Sequence, residues 1–401
     1  MHEDSSSGSP GATPRLSAVI ARCEALYHDV DLRTVHDWRA AHGGRKAVGY
    51  MPIYVPRELI DAAGMLPVGI MGGRGQVEII RGDAWFQSYI CQIPRSTIEL
   101  ALTGRLDVLD GMLFPSICDV IRNLSGMWKV KFPGKYVRYF DVPQNYEPEV
   151  GGRFYREELR HLYADLRRLS GTTEDADETL RRSIARYNEN RRVIGELLEL
   201  RAKEPWRVPT YESYLVLFAG NVLPVEEHTA LVREYIAAAL ESDRPRRDNA
   251  RVVLTGAFCE QPPIELIRTL ELAGCYVVSD DTALGRRWPT EDVSTEGDPL
   301  LALATGFLRH SPPTAARYEP HGDRGEPLVT LVKKQRAEGV VLAAPSFCDP
   351  ALLEQPILQD TLDAARVPWT AFKYAENLGQ FQVIREQAGT FADSIKLWSE
   401  P

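Results

Sequence analysis

Short apolar runs alternate with amphipathic, helix-length patterns along this chain, and they do so in two separate sets. The first set is "AVGYMPI" (47–53), "LPVGIMG" (66–72), "GMLF" (111–114) and "KYVRYFDVP" (135–143). The second is "ARVVLTG" (250–256), "CYVVSDD" (275–281), "GVVLAAP" (339–345) and "PWTAFKY" (368–374). Strand-like runs separated by helices argue for a mainly parallel sheet, because a parallel partner is reached only through a crossover. Pro56 opens a helix after the first run and Gly64 closes it; Asp119 opens another after "GMLF". The expected class is therefore α/β, with two Rossmann-like, doubly wound sheets.

Between the two sets the pattern changes to long amphipathic helices, such as "FYREELRHLYADLRRLSG" (154–171) and "ALVREYIAAALES" (230–242). The expected organisation is an unstructured tail over 1–14 and an N-terminal helix with the first α/β domain over 15–153. A helical segment follows over 154–245, then a second α/β domain over 246–401. Residues 15–42 read as helical, with Leu16, Val19, Ile20, Cys23, Leu26 and Tyr27 on one stripe, and "SDRPRRDNA" (242–250) reads as a linker.

Charge and apolar content limit the possible partners. The net charge is −9 and no basic arm is present, which argues against nucleic acid as the main partner. No apolar run approaches the ~18 residues that a membrane-spanning helix needs. The start, "MHEDSSSGSPGATP", has no apolar core and does not read as an export signal. The expected location is cytoplasmic, with all six cysteines as reduced thiols.

Those cysteines carry the clearest internal repeat. "PSICD" at 115–119 returns as "PSFCD" at 345–349, so Cys118 and Cys348 each lie just past a strand and at the start of a helix. Ligands of open α/β sheets bind at the carboxyl ends of strands. Helix N-terminal amides are expected to lower a thiol's pKa there. Cys91 falls between an aromatic-rich segment and a further helix, and Cys259 is another cysteine at a strand end. Three readings fit Cys91, Cys118 and Cys348: small buried hydrophobes, a nucleophile among them, or joint ligands of a soft metal site. Cys23 and Cys275 read as core.

Other features have plainer readings. His228 follows two glutamates at a helix start and reads as a half-buried imidazole. The glycines of "GIMGGRGQ" (69–76) lack the spacing of a phosphate loop or a dinucleotide fingerprint and read as a turn. Lys129, Lys131, Lys135 and Arg138 read as a solvated edge, with an anionic ligand as the alternative.

"GRKAVGYMPIYVPRELIDAAGMLPVGIMG", "IIRGDAWFQSYICQIPRSTIEL", "GMLFPSICDVIRNLSGMWK", "PSFCDP" and "FKYAENLGQFQVIREQAGTFADSIKLW" resemble the benzoyl-CoA reductase / 2-hydroxyacyl-CoA dehydratase family. "ICDVIRNLSGMW", "KYVRYFDVPQN" and "GTFADSIKLW" resemble in particular the smaller non-ATPase subunit, the C subunit, of ATP-dependent reductases of that family. The resemblance implies two Rossmann-like domains and a 4Fe–4S cluster held by Cys91, Cys118 and Cys348, with Cys259 as a further ligand or a pocket residue. It implies reductive dearomatisation of benzoyl-CoA to a cyclohexadiene-carbonyl-CoA, with electrons from ferredoxin. ATP would act only through two actin-like ATPase subunits that carry their own cluster, and a homologous B-type subunit would pair with this one. Tyr89 and Glu260 are the candidate proton donors, chosen for nearness in sequence to Cys91 and Cys259. The rival readings are a 2-hydroxyacyl-CoA dehydratase subunit and a non-catalytic scaffold with buried structural cysteines.

Overall fold

The structure, a computed structural model, describes residues 11–398 apart from 52, 88, 257–261, 285–290, 313–316, 319–324 and 376–380. The first half runs α1 (Pro14–His28), α2 (Arg33–Ala41), β1 (Ala47–Tyr50), α3 (Arg57–Ala62), β2 (Leu66–Gly69), α4 (Gln92–Leu102), β3 (Gly111–Pro115), α5 (Asp119–Lys131) and β4 (Tyr136–Phe140). Four long helices follow: α6 (Arg153–Ser170), α7 (Ala176–Lys203), α8 (Thr210–Ala219) and α9 (Val225–Leu240). The second half runs β5 (Ala250–Thr255), α10 (Ile264–Leu272), β6 (Cys275–Asp280), α11 (Pro299–His310), α12 (Glu326–Lys334), β7 (Gly339–Pro345), α13 (Asp349–Ala364), β8 (Trp369–Tyr374) and α14 (Phe381–Trp398).

Among the described residues the strands form two four-stranded, all-parallel sheets, ordered β2-β1-β3-β4 and β6-β5-β7-β8. Every residue of β3 and β7 is buried, as expected for central strands covered on both faces by crossover helices. The chain direction across each sheet reverses between the first and third strand, which places a switch-point crevice beside β1 and β3 in one sheet and β5 and β7 in the other. The expected α/β architecture is therefore present, and the two sheets have the same topology.

The equivalence extends to single hydrogen bonds. Pro115 pairs with Phe140 at the end of β4, and Pro345 with Tyr374 at the end of β8. One residue on, the Ser116 amide donates to the Phe140 carbonyl at 2.9 Å and the Ser346 amide to the Tyr374 carbonyl at 2.7 Å. Both serine turns thus leave their sheets by the same route.

The main hydrophobic core is one connected cluster, containing residues from Leu16 to Ile395 and including side chains of both sheets and of α6–α9. The long helices hold the two halves through buried polar seams as well. On the first side, Arg191 of α7 donates from both terminal nitrogens to the Glu58 carboxylate at 2.9 Å, and Ser183 donates to Asp61 at 2.5 Å. On the second side, Arg201 of α7 meets Asp280 at the end of β6 at 2.5 Å, with both side chains almost fully buried. Glu271 caps α8 by accepting from the Thr210 amide at 2.5 Å.

Three local expectations need correction. The helix expected over 15–42 is broken, with Leu32 in the left-handed region at φ 53°. The Asp29 carboxylate accepts from the amides of Arg33 and Thr34 at 2.9 and 2.8 Å and so starts α2. The first strand ends at Tyr50 because Ile53 and Tyr54 take positive φ values of 83° and 66°, a conformation incompatible with pleated strand. Residues 242–249 are irregular but pinned: Arg244 is buried and grips Glu212 at 2.6 and 2.9 Å.

Candidate functional site

Cys91, Cys118 and Cys348 occupy one kind of position. Each is the residue immediately before a helix, preceding α4, α5 and α13 respectively. A side chain there faces the amides of the first turn, which have no intrahelical acceptor. At Cys118 the Ile121 and Val120 amides favour the thiolate. Cys348 is buried with Ala344 and Ala351 in a small apolar cluster, whereas Cys118 and Cys91 are half-buried.

The thiol chemistry differs from the expectation of a lowered pKa. Burial pushes the Cys118 thiol up, and the Ile121 and Val120 amides only oppose that rise. The Cys348 sulfur lies close enough to raise it further. Desolvation outweighs two amide hydrogen bonds because a thiolate loses most of its hydration there. Cys118 and Cys348, 230 residues apart in sequence, therefore lie within electrostatic reach of each other. Two neighbouring sulfurs near helix N-termini form a soft, anionic donor set once a cation replaces the protons, which suits a metal that prefers thiolate. Among the described residues, no three or more Cys, His, Asp or Glu side chains gather at metal-ligating separation. Cys91 is at the head of α4, which packs against α5.

The remaining candidates separate clearly. Cys259 and Glu260 lie outside the described residues. Tyr89 is on the surface, 59% exposed. Cys23 and Cys275 are core residues whose thiols burial pushes up to about 12. His228 is fully buried, not half-buried, and burial pushes its pKa down to about 4. Its Nε2 donates to the Val216 carbonyl at 3.0 Å and its Nδ1 pairs with Asn190 at 3.1 Å, so the neutral ring joins α7, α8 and α9. The 69–76 glycine segment is a packed turn, with the Gly73 amide donating to Ser96 and Arg74 stacked over Tyr27 and Phe218. In the basic group, Lys135 donates to the carbonyls of Asp107 and Leu109, and Arg138 bridges Glu158 and Asp165; Lys129 and Lys131 are exposed.

Sequence spacing does not reveal a cavity of about 560 Å³, mouth included, at the carboxyl end of β1. Tyr54, Arg57 and Glu58 line it from the first half, Tyr155 and Arg191 from the long helices, and Phe307 and Ser311 from around α11. Its place at a junction of units is common for small-molecule sites. β1 and β3 are neighbours in the sheet, so this cavity opens from the same sheet edge as the Cys118 turn. The lining comes from distant stretches of chain, and no motif links them.

Residues 52–395 match the family described as 2-hydroxyglutaryl-CoA dehydratase, D-component. The C subunit of benzoyl-CoA reductase from Thauera aromatica is 58% identical over 382 residues, covering 95% of this chain and 99% of that protein. The beta subunit of lactoyl-CoA dehydratase from Anaerotignum propionicum is 30% identical over 364 residues, covering 90% and 95%. The beta subunit of (R)-2-hydroxyglutaryl-CoA dehydratase from Acidaminococcus fermentans is 29% identical over 360 residues, covering 88% and 93%.

Proposed function

We propose, since this chain belongs to the 2-hydroxyglutaryl-CoA dehydratase D-component family, that it is an oxidoreductase subunit, the C-type subunit of a benzoyl-CoA reductase. The observation that carries this reading is the 58% identity across nearly all of both chains, against 30% and 29% to the dehydratase beta subunits. On this reading Cys91, Cys118 and Cys348 hold a 4Fe–4S cluster, which supplies single electrons at low potential when bound. Support comes from their shared position before a helix and from the closeness of Cys118 to Cys348.

The chain's own contribution is to bury that donor set and to aim backbone amides at it. The Val120 and Ile121 N–H groups offset part of the negative charge on the Cys118 sulfur. Burial by Ala344 and Ala351 keeps water from Cys348. In this proposal the catalytic unit is completed by a homologous B-type subunit. Two ATPase subunits with their own cluster couple ATP hydrolysis to electron delivery from ferredoxin, and an aromatic acyl-CoA is the substrate.

The test is anaerobic co-purification with the partner subunits, followed by iron and sulfide analysis, EPR spectroscopy and electron counting. Stoichiometric consumption of the reductant for each benzoyl-CoA reduced is the expected result. Continued turnover of a 2-hydroxyacyl-CoA after one activating reduction would assign the chain to the dehydratase branch instead. Anaerobic protein without iron would leave only the scaffold reading.

A further inference from the structure

The wall of the cavity beside β1 holds a hydroxyl with an unmet demand. Ser311, at the end of α11, is 9% exposed and lines the cavity. Its hydroxyl has no hydrogen-bond partner among the described residues. A buried hydroxyl without a partner loses about 1–3 kcal/mol of desolvation free energy, so such groups are uncommon unless something else satisfies them. The rest of the wall is mainly aromatic and aliphatic. Phe307 stacks near Tyr155, with centroids 4.7 Å apart, and meets Tyr54 edge-on at 5.9 Å; Val293 and Leu303 complete the apolar surface.

The charged groups in the wall narrow the choice of ligand. The Arg191 charge is answered by Glu58, which accepts from both terminal guanidinium nitrogens at 2.9 Å. The Arg57 guanidinium lies 5.1 Å from the centre of the Tyr187 ring. Arg57 also hydrogen-bonds Tyr50, so both cations are engaged within the wall and the Ser311 hydroxyl is the group left to meet a ligand oxygen. A flat apolar body with one carbonyl oxygen matches all of these features.

Resting on the reading under Proposed function, we propose that this cavity receives the aromatic acyl group of the CoA thioester. The ring packs against Tyr54, Tyr155 and Phe307, and the thioester carbonyl accepts a hydrogen bond from Ser311. The inference gives this subunit a direct part in substrate selection and places that selection at the junction of the first sheet, α7 and α11.

The experiment uses the anaerobic holo-complex without ATP, so that no turnover occurs, and measures affinity by isothermal titration calorimetry. Benzoyl-CoA is compared with acetyl-CoA, which shares the nucleotide and thioester but lacks the ring. Ser311→Ala should weaken benzoyl-CoA binding about fivefold, the value of one neutral hydrogen bond. Phe307→Leu should weaken it about three- to tenfold by removing an aromatic wall. Iron content and the make-up of the complex should stay unchanged in both, and Phe307→Leu should leave acetyl-CoA affinity unchanged. If both variants keep their iron and the full affinity for benzoyl-CoA, this inference falls while the reductase reading stands. A wild-type complex with no preference for benzoyl-CoA over acetyl-CoA overturns the reading and the inference together.

Discussion

The turn at Pro115–Asp119 and the turn at Pro345–Asp349 leave equivalent strands by equivalent hydrogen bonds, but they differ one residue later. The first helix has Val120 at its second position, and that amide opposes the rise in the Cys118 pKa. The second helix has Pro350 there, and proline has no N–H to donate. The residue before the cysteine differs as well. Ile117 is buried, whereas Phe347 is 53% exposed and held at φ 66°, a left-handed conformation that costs a non-glycine residue about 1–3 kcal/mol. On the outer face of α13, Leu353 and Ile357 are also exposed. Equal topology therefore does not produce equal turns: a proline removes one first-turn amide from the second, and the residue before its cysteine is exposed and strained.

The seams to the long helices show a similar contrast. Arg201 and Asp280 retain side-chain exposures of 2% and 4%, against 9% and 10% for Arg191 and Glu58, which border the cavity. Burial makes the second seam the more sensitive one.

The strongest challenge to the comparison is removal of either thiolate. Cys118→Ser and Cys348→Ser should each abolish the same iron and sulfide signal in anaerobically purified protein. Loss with only one of them would show that the turns are not two halves of one site. Next in size is Arg201→Met, which strands the Asp280 carboxylate and should cost about 3–5 kcal/mol of stability. Arg191→Met should cost less, because its partner Glu58 is the more exposed of the two carboxylates and can rehydrate. Thermal unfolding of the two variants ranks the seams, and equal losses would remove the distinction.

A pH series examines the second seam further. Burial pushes the Glu271 carboxyl up from 4.5 to about 7, with Glu212 adding to the rise against the opposing Thr210 and Tyr211 amides. The folded state therefore binds that proton more tightly than the unfolded state. The resulting stability is fully present below pH 4.5 and is lost as the pH rises through about 7. Glu271→Gln should remove that pH dependence, on the order of 3 kcal/mol across the window, visible in unfolding midpoints at pH 5 and pH 8. An unchanged slope in the variant would assign the effect to another group.

The smallest expected effect addresses the turns directly. Val120→Pro deletes an amide directed at Cys118 and copies a proline that α13 already tolerates at the same position. It should lower the midpoint potential of the bound cluster by tens of millivolts, equivalent to about 1 kcal/mol for one hydrogen bond. Pro350→Ala should raise it. EPR-monitored redox titration reads both, and shifts of the same sign would contradict the difference drawn between the turns.

Much of the architecture was legible in the sequence because strands and helices impose local periods. The eight strand-like runs all became strands, and the repeated Pro-Ser-x-Cys-Asp marked the same exit from each sheet. The break at Leu32 was not legible, since it depends on the Asp29 side chain turning back to cap α2 rather than on a glycine or proline. The direction of the Cys118 shift was misread because helix position is local whereas burial is a property of the packed whole.

By itself, then, the sequence determined the two parallel sheets, their matching turns and the placement of three cysteines at helix starts, all of which follow from short-range pattern. Only the tertiary structure decided that the Cys118 and Cys348 sulfurs come within electrostatic reach, that His228 is buried and neutral, and that Tyr54, Tyr155, Arg191, Phe307 and Ser311 share one cavity. Those outcomes depend on how distant segments pack, and side-chain spacing along the chain carries no record of that distance.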